Sequence, residues 1–417
     1  MAPSELVPRR AEQLISAALA DTRVVLISGA RQAGKSTLVR VVAGNRAAER
    51  RDLDREQDRA AALADPTGFV SFDDLMVIDE IQRVPELLLA IKVAVDEDPR
   101  PGRFLLTGSS RLFGMRGAPD ALPGRMETVE LWPFSQGEID GTPDGFIDAV
   151  FAQGPDLRHE SVVARGDYAA RVVRGGLPEA VSRDDVRRRG RFLDGYVQAL
   201  IDRDVRELSR IEQAPQLRTL ARLLAARSAT LIPAGSLESE LGLSRPTIAR
   251  YLRLLEEVFL VKRIPGWSRN LGSRVTQAPK LVFVDSGIAA QQLAVDPHLL
   301  QRPGQPFGPL LEGFVIAELA RQATWSDQLV DLYHYRDQNK VEVDVILENR
   351  QGRVVAVEVK AASTVRSDDF RGLRRLAERL GDDLVAGIVL YTGTSTLAFG
   401  DRMRALPVSA IWETGLS

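Results

Sequence analysis

The chain of 417 residues has no cysteine, which excludes disulfides, thiolate metal ligands and cysteine nucleophiles together and fits a reducing compartment. Lysine is scarce too: Lys35, Lys92, Lys262, Lys280, Lys340 and Lys360 are all of them, and arginine supplies the remaining positive charge. Neither sign of charge dominates. The formal net charge of −2 means that any contact with nucleic acid must come from local basic surface. No apolar run approaches the length that spans a bilayer, and Arg9, Arg10, Glu12 and Asp21 interrupt the N-terminal stretch, so it has no signal-peptide core. The expectation is a cytoplasmic protein without a membrane partner. No fixed-period repeat or low-complexity tract is present. With 44% hydrophobic and 27% charged residues, the composition is that of a folded globular protein of two or three domains.

Apolar, β-branched runs alternate with helical patterns in the first third. VVLIS at 24–28, LMVIDE at 75–80 and RFLLTGSS at 103–110 read as buried strands, with PELLLAIKVAVDE as a helix between the last two. This alternation implies a parallel sheet covered on both faces. It stops near residue 130, where Trp132-Pro133 and Gly141-Thr142-Pro143 punctuate a mostly helical region reaching Leu208. Residues 215–265 hold three helical patterns, a tight turn at Gly242 and Ser244, and the run VFLVKRI, which read as a helix-turn-helix followed by a wing. Strand-like runs return from Lys280. The expected fold is α/β throughout: a nucleotide-binding domain over 1–130, a helical lid over 131–214, a winged-helix segment over 215–275 and a second α/β domain over 276–417.

Gly29-Ala30-Arg31-Gln32-Ala33-Gly34-Lys35-Ser36 matches the phosphate-binding pattern G-x-x-x-x-G-K-[ST] and lies between a strand and a helix, as that chemistry requires. Its glycines let backbone N–H groups turn inward around phosphate oxygens, the helix adds its positive end, and Lys35 is placed to reach the β/γ-phosphates. Ser36 is expected to give a hydroxyl to Mg²⁺, and Thr37 completes the ATP-contacting set. Asp79 and Glu80 end an apolar strand, where ligands of parallel sheets gather; Asp79 is expected in the Mg²⁺ shell and Glu80 as the group that polarises the attacking water. Thr107, Ser109 and Ser110 end a third strand as candidate contacts to the γ-phosphate or the water. Arg125 follows a turn and is a candidate arginine finger across a subunit contact or a sensor in cis, with a surface residue as the plain alternative.

A second constellation lies in VEVDVILENRQGRVVAVEVKAA. Asp344 sits on one strand and Glu358 with Lys360 on the next, joined by a hairpin signal at 349–352. Glu358 and Lys360, two apart, share a face. Two carboxylates and a lysine can hold Mg²⁺ and orient its water against a phosphodiester, with Glu312 on an earlier helix completing the metal shell. The same residues fit a nuclease-like fold that only binds, or an antiparallel sheet with one solvated face. In the helix-turn-helix, Arg245, Arg250 and Arg253 are placed to reach DNA, and Lys262, Arg263, Arg269 and Arg274 to extend a basic wing.

GARQAGKS, LMVIDE, LLTGSS, LPGRMETVELWPFSQGE and GGLPEAV at 175–181 resemble bacterial and archaeal AAA-type P-loop ATPases joined to a C-terminal domain of unknown function, the 4143 type. The resemblance covers nearly the whole chain. It implies an AAA-like sheet domain, a helical lid, a winged helix, a restriction-endonuclease-like C-terminal fold, and ATP with Mg²⁺ as cofactors. The D…E-x-K arrangement likewise resembles the core of restriction-endonuclease-like nucleases. Together these readings lead to an ATPase coupled to DNA processing, with a nucleotide-gated regulatory protein as the alternative and self-association as a weaker expectation.

Overall fold

The structure is a computed structural model that describes residues 6–44, 46–108, 122–205, 214–230, 234–269, 274 and 278–416. It divides into two compact units, one of Met1–Phe134 with Glu257–Phe259 and the other of Ser135–Glu256 with Leu260–Ser417. The first break thus falls four residues beyond the expected edge at 130, and apart from 257–259 the residues after it fold within one unit.

In the first unit, strands β1 (Val24–Gly29), β2 (Ala48–Asp52), β3 (Leu75–Asp79), β4 (Phe104–Gly108) and β5 (Met126–Leu131) form a parallel sheet in the order β2-β3-β4-β1-β5. β1 and β4 are buried at every position, which is why they read as continuous apolar runs. One face packs on helices Ala11–Asp21 and Lys35–Ala43 through Ile15, Leu38 and Val39. The other packs on Glu56–Ala64 and Leu87–Glu97 through Ala62, Leu87 and Ile91. Because β1 sits between β4 and β5, the loop that leaves its C-terminal end opens where the strand order reverses, the position at which open α/β sheets bind ligands.

The second unit begins with helices, among them Arg165–Arg174 and Val186–Ala199. Buried Asp285 accepts N–H bonds from Gly176 and Leu177 at 2.7 and 3.0 Å and caps its own helix at Ile288, which explains the GGLP segment as a clamp on a helix start. Helices Ala214–Ala226, Ala234–Leu241 and Arg245–Glu257 precede an antiparallel pair, β6 (Val261–Ile264) and β7 (Lys280–Phe283). The expected strand VFLVKRI is shorter than its apolar run, because Phe259 takes a left-handed φ of 57° that strand geometry does not allow.

The last sheet holds β8 (Asp331–Arg336), β9 (Glu342–Glu348), β10 (Val354–Lys360), β11 (Leu384–Tyr391), β12 (Leu397–Ala398) and β13 (Met403–Pro407), ordered β12-β13-β11-β10-β9-β8. β8 to β10 form an antiparallel meander, and β10, β11 and β13 run parallel. The hairpin signal at 349–352 is realised: Gly352 has a φ of 76° and Asn349 Oδ1 accepts from the N–H groups of Gln351 and Arg353. Amphipathic helix Arg371–Leu380 crosses from β10 to β11 and buries Leu373, Leu376 and Leu380.

Candidate functional site

The loop after β1 takes its shape from three backbone constraints. Gln32 and Gly34 have φ angles of 58° and 97°, so the chain turns back before the helix Lys35–Ala43 begins. A Cβ on Gly29 would lie 2.1 Å from the Leu131 carbonyl oxygen, so only glycine lets β1 lie this close to β5. Lys35 is buried, and its Nζ donates to the carbonyls of Gly29 and Ala30, at 3.0 Å each, which holds the ammonium over the loop. Arg9, a residue the sequence reading did not assign, donates to the Ala33 carbonyl at 2.8 Å and to Trp132 at 2.7 Å while stacking on Phe134. It ties the loop to the strand that follows it in space.

Asp79 meets the loop as expected. Ser36 Oγ donates to Asp79 Oδ2 at 2.7 Å, and Thr107 Oγ1 donates to the same carboxylate. Among the described residues both partners are neutral hydroxyls, which bring no counter-charge to the carboxylate. Glu80 lies one residue beyond the strand at a φ of 57°; its N–H donates to Thr107 Oγ1 at 3.1 Å and its carboxylate accepts from Gln82. A carboxylate, a serine hydroxyl and a second acid at the mouth of a phosphate loop suit Mg²⁺, which prefers few protein oxygens and keeps its waters. Ser109 and Ser110 lie outside the described residues.

Arg125 is elsewhere. It precedes β5, whose N-terminal Met126 pairs with Val24 at the far edge of the sheet, and its guanidinium binds Asp96 through two contacts of 2.5 and 3.1 Å. β5 runs roughly 20 Å from there to the phosphate loop. The sensor-in-cis alternative is therefore corrected: a sheet's length and an ion pair keep Arg125 from its own chain's loop.

In the second unit the residues expected to converge do so. Val345 stands opposite Val357, which brings Asp344 beside Glu358, and Asp344 Oδ2 accepts the Val359 N–H at 3.0 Å. Lys360 Nζ donates to Glu358 Oε1 at 2.9 Å. The residue that sequence reasoning missed is Lys280 of β7. Its Nζ lies 2.5 Å from Glu312 and 3.2 Å from Asp344, with its side chain 3% exposed. Burial works against the charged ammonium, but Asp344 and Glu312 outweigh it and hold its pKa above the usual lysine value. Burial and then the Asp344 charge push Glu312 well up against the pull of Lys280, and push Glu358 up to about 7 against the pull of Lys360. Of the expected metal shell of Glu312, Asp344 and Glu358, the first two have the Lys280 ammonium between them, and among the described residues no three His, Cys, Asp or Glu side chains are arranged as a metal-binding group.

Three of the four residues of the expected basic wing are paired with acids. Arg263 pairs with Glu256 at 2.8 Å, Arg274 grips Glu348 with two contacts, and Arg269 pairs with Asp383. On the helix Arg245–Glu257, Ile248, Tyr251, Leu254 and Leu255 are buried while Arg245, Arg250 and Arg253 are exposed, Arg245 pairing with Glu238 at 3.4 Å.

Comparison with known proteins follows these divisions. Residues 21–140 match an AAA domain, 165–299 a domain of unknown function (DUF8612) and 307–411 a domain of unknown function (DUF4143). The chain is thus similar to AAA domains near its start and to the DUF4143 domain toward its end. An uncharacterised protein of Mycobacterium bovis and one of Mycobacterium tuberculosis are each 29% identical over 415 residues, covering 98% of this chain and 86% of theirs. Among solved structures, the Walker-type ATPase of Pyrococcus abyssi superposes at a TM-score of 0.43 with 15% identity, over 69% of this chain and 96% of that one. The RuvB Holliday junction branch migration motor of Thermotoga maritima gives 0.29 with 19% identity, over 63% and 93%. No helix among the described residues is long and apolar enough to cross a membrane.

Proposed function

We propose that the chain binds and hydrolyses Mg²⁺-ATP and that this cycle gates its C-terminal module. The contact of Ser36 Oγ with Asp79 Oδ2 at 2.7 Å carries the reading, because it joins the end of the phosphate loop to the acidic strand through groups that suit Mg²⁺. Backbone N–H groups from Ala30 to Ser36 cradle the phosphates, with Thr37 completing the contacts. Lys35 neutralises the β/γ-oxygens, Ser36 and Asp79 hold the ion's shell, and Glu80 orients and polarises the attacking water. Bound Mg²⁺ supplies charge neutralisation on the phosphates.

DNA is the proposed partner of the second unit, on the strength of three exposed arginines along one helix. Lys280 favours the regulatory reading of the nuclease-like centre over phosphodiester cleavage. Equilibrium binding of a fluorescent ATP analogue beside steady-state turnover tests the nucleotide assignment. Glu80→Gln is expected to retain affinity while kcat falls about 10²-fold or more, and normal turnover by that variant would remove Glu80 from the mechanism. Stimulation of turnover by added duplex, lost in Arg245→Ala/Arg250→Ala, is the expected result for DNA; indifference to duplex would remove DNA from the reading.

A further inference from the structure

A D…E-x-K centre is expected to collect a divalent ion between its carboxylates, and the ion's place is the point that two of them face together. Here the Lys280 nitrogen stands at that point, 2.5 Å from Glu312 and 3.2 Å from Asp344. Mg²⁺ needs oxygen ligands at about 2.0–2.1 Å in octahedral array. An ion bound that closely to Glu312 or Asp344 would lie against the ammonium, and two cations would share one desolvated space. Lys280 has little freedom to withdraw, because it belongs to β7, where it pairs with Ile264, and its side chain is 3% exposed. Lys360 pairs with Oε1 of the remaining acid, Glu358, at 2.9 Å, while Glu358 Oε2 is buried and accepts no hydrogen bond among the described residues. Three carboxylates therefore face two ammonium groups in the cluster itself.

We propose that Lys280 is the resident cation of the C-terminal centre, holding with its ammonium the position a divalent ion would occupy, so that this module engages its ligand without metal-dependent cleavage. Glu312 and Asp344 act as the counter-ions of Lys280. Lys360, 31% exposed, is the cation left facing outward toward an anionic ligand. The inference deepens the regulatory reading of this module and does not depend on nucleotide turnover.

Titrating the full chain with Mn²⁺ without nucleotide, read by electron paramagnetic resonance, tests it. All variants carry Asp79→Asn, which removes the carboxylate of the ion shell at the phosphate loop, and ATP turnover of the native chain is scored separately. With Lys280 in place, the expected result is no Mn²⁺ that Asp344→Asn removes. Lys280→Met, neutral and of similar length, should gain one Mn²⁺ per chain, bound about tenfold or more tighter than any background, and should lose it again with Asp344→Asn. Mn²⁺ should also raise the Tm of Lys280→Met but not that of its parent. A Mn²⁺ bound beside native Lys280 and removed by Asp344→Asn would overturn the proposal, as would a folded Lys280→Met that gains none. Should Lys280→Met fail to fold, the comparison of the Lys280-containing chain with and without Asp344→Asn decides alone.

Discussion

Asp79 and Asp344 sit on or beside sheet strands within acidic clusters, yet the groups that meet them differ in kind. Among the described residues Asp79 accepts from Ser36 and Thr107, two neutral hydroxyls that bring no counter-charge. Asp344 faces the Lys280 ammonium, and its neighbour Glu358 faces that of Lys360. A carboxylate solvated by hydroxyls still attracts an ion; one paired with a buried ammonium has its counter-charge built in. Acidic residues in a cleft therefore say little about metal chemistry until the charge of their donors is known.

This contrast is open to measurement. The largest expected effect is on folding. Lys280→Met should lower the unfolding free energy by about 3–5 kcal/mol, because it leaves buried carboxylates without their counter-charge. Asp79→Asn, which removes charge from a hydroxyl-lined site, should stay within about 1 kcal/mol, and equal losses in urea melts would erase the distinction. Next, Mg²⁺-ATP at about 100 times its Kd should add about 2.7 kcal/mol to the stability of the first unit, an increment that Lys35→Ala abolishes in a thermal scan.

Acidity should act through the second cluster. With Glu358 pushed up to about 7 from an ordinary 4.5, the native state keeps a proton that the unfolded chain has already lost across that window. Its stabilising contribution is full below the ordinary value and is lost as pH rises through the folded one. The slope is worth on the order of 3 kcal/mol at most, and Glu358→Gln should flatten it when urea midpoints at acidic and mildly alkaline pH are compared. A further effect on the first unit is expected of Arg9→Ala. Its two carbonyl contacts suggest a loss of about 1–3 kcal/mol in the first unit, with a few-fold weaker nucleotide affinity checked by titration.

Much of the first cluster was legible because its chemistry is local. The phosphate loop is contiguous, and Asp79 and Glu80 close an apolar run whose direction is fixed by a parallel sheet. The hairpin at 349–352 likewise announced the pairing that sets Asp344 beside Glu358. Lys280 was not legible. It reaches Glu312 and Asp344 across 32 and 64 residues of chain, and nothing in a strand pattern says which acid a buried lysine meets. Its only signal was position: one of six lysines, placed at the start of an apolar strand. The wing arginines misled for the opposite reason, since Glu256, Glu348 and Asp383 answer them from distant segments. Arg125 misled because a residue before a strand and one after it occupy opposite rims of a sheet.

Arg9 bears on how the first unit can be cut out of the chain. The family match begins at residue 21, and a fragment started there would omit both the guanidinium that spans Ala33 and Trp132 and the helix Ala11–Asp21 that packs beneath it. Such a fragment would retain the complete nucleotide signature and lose the brace that sets its shape. A weak or silent preparation of that kind would report on where the cut was made.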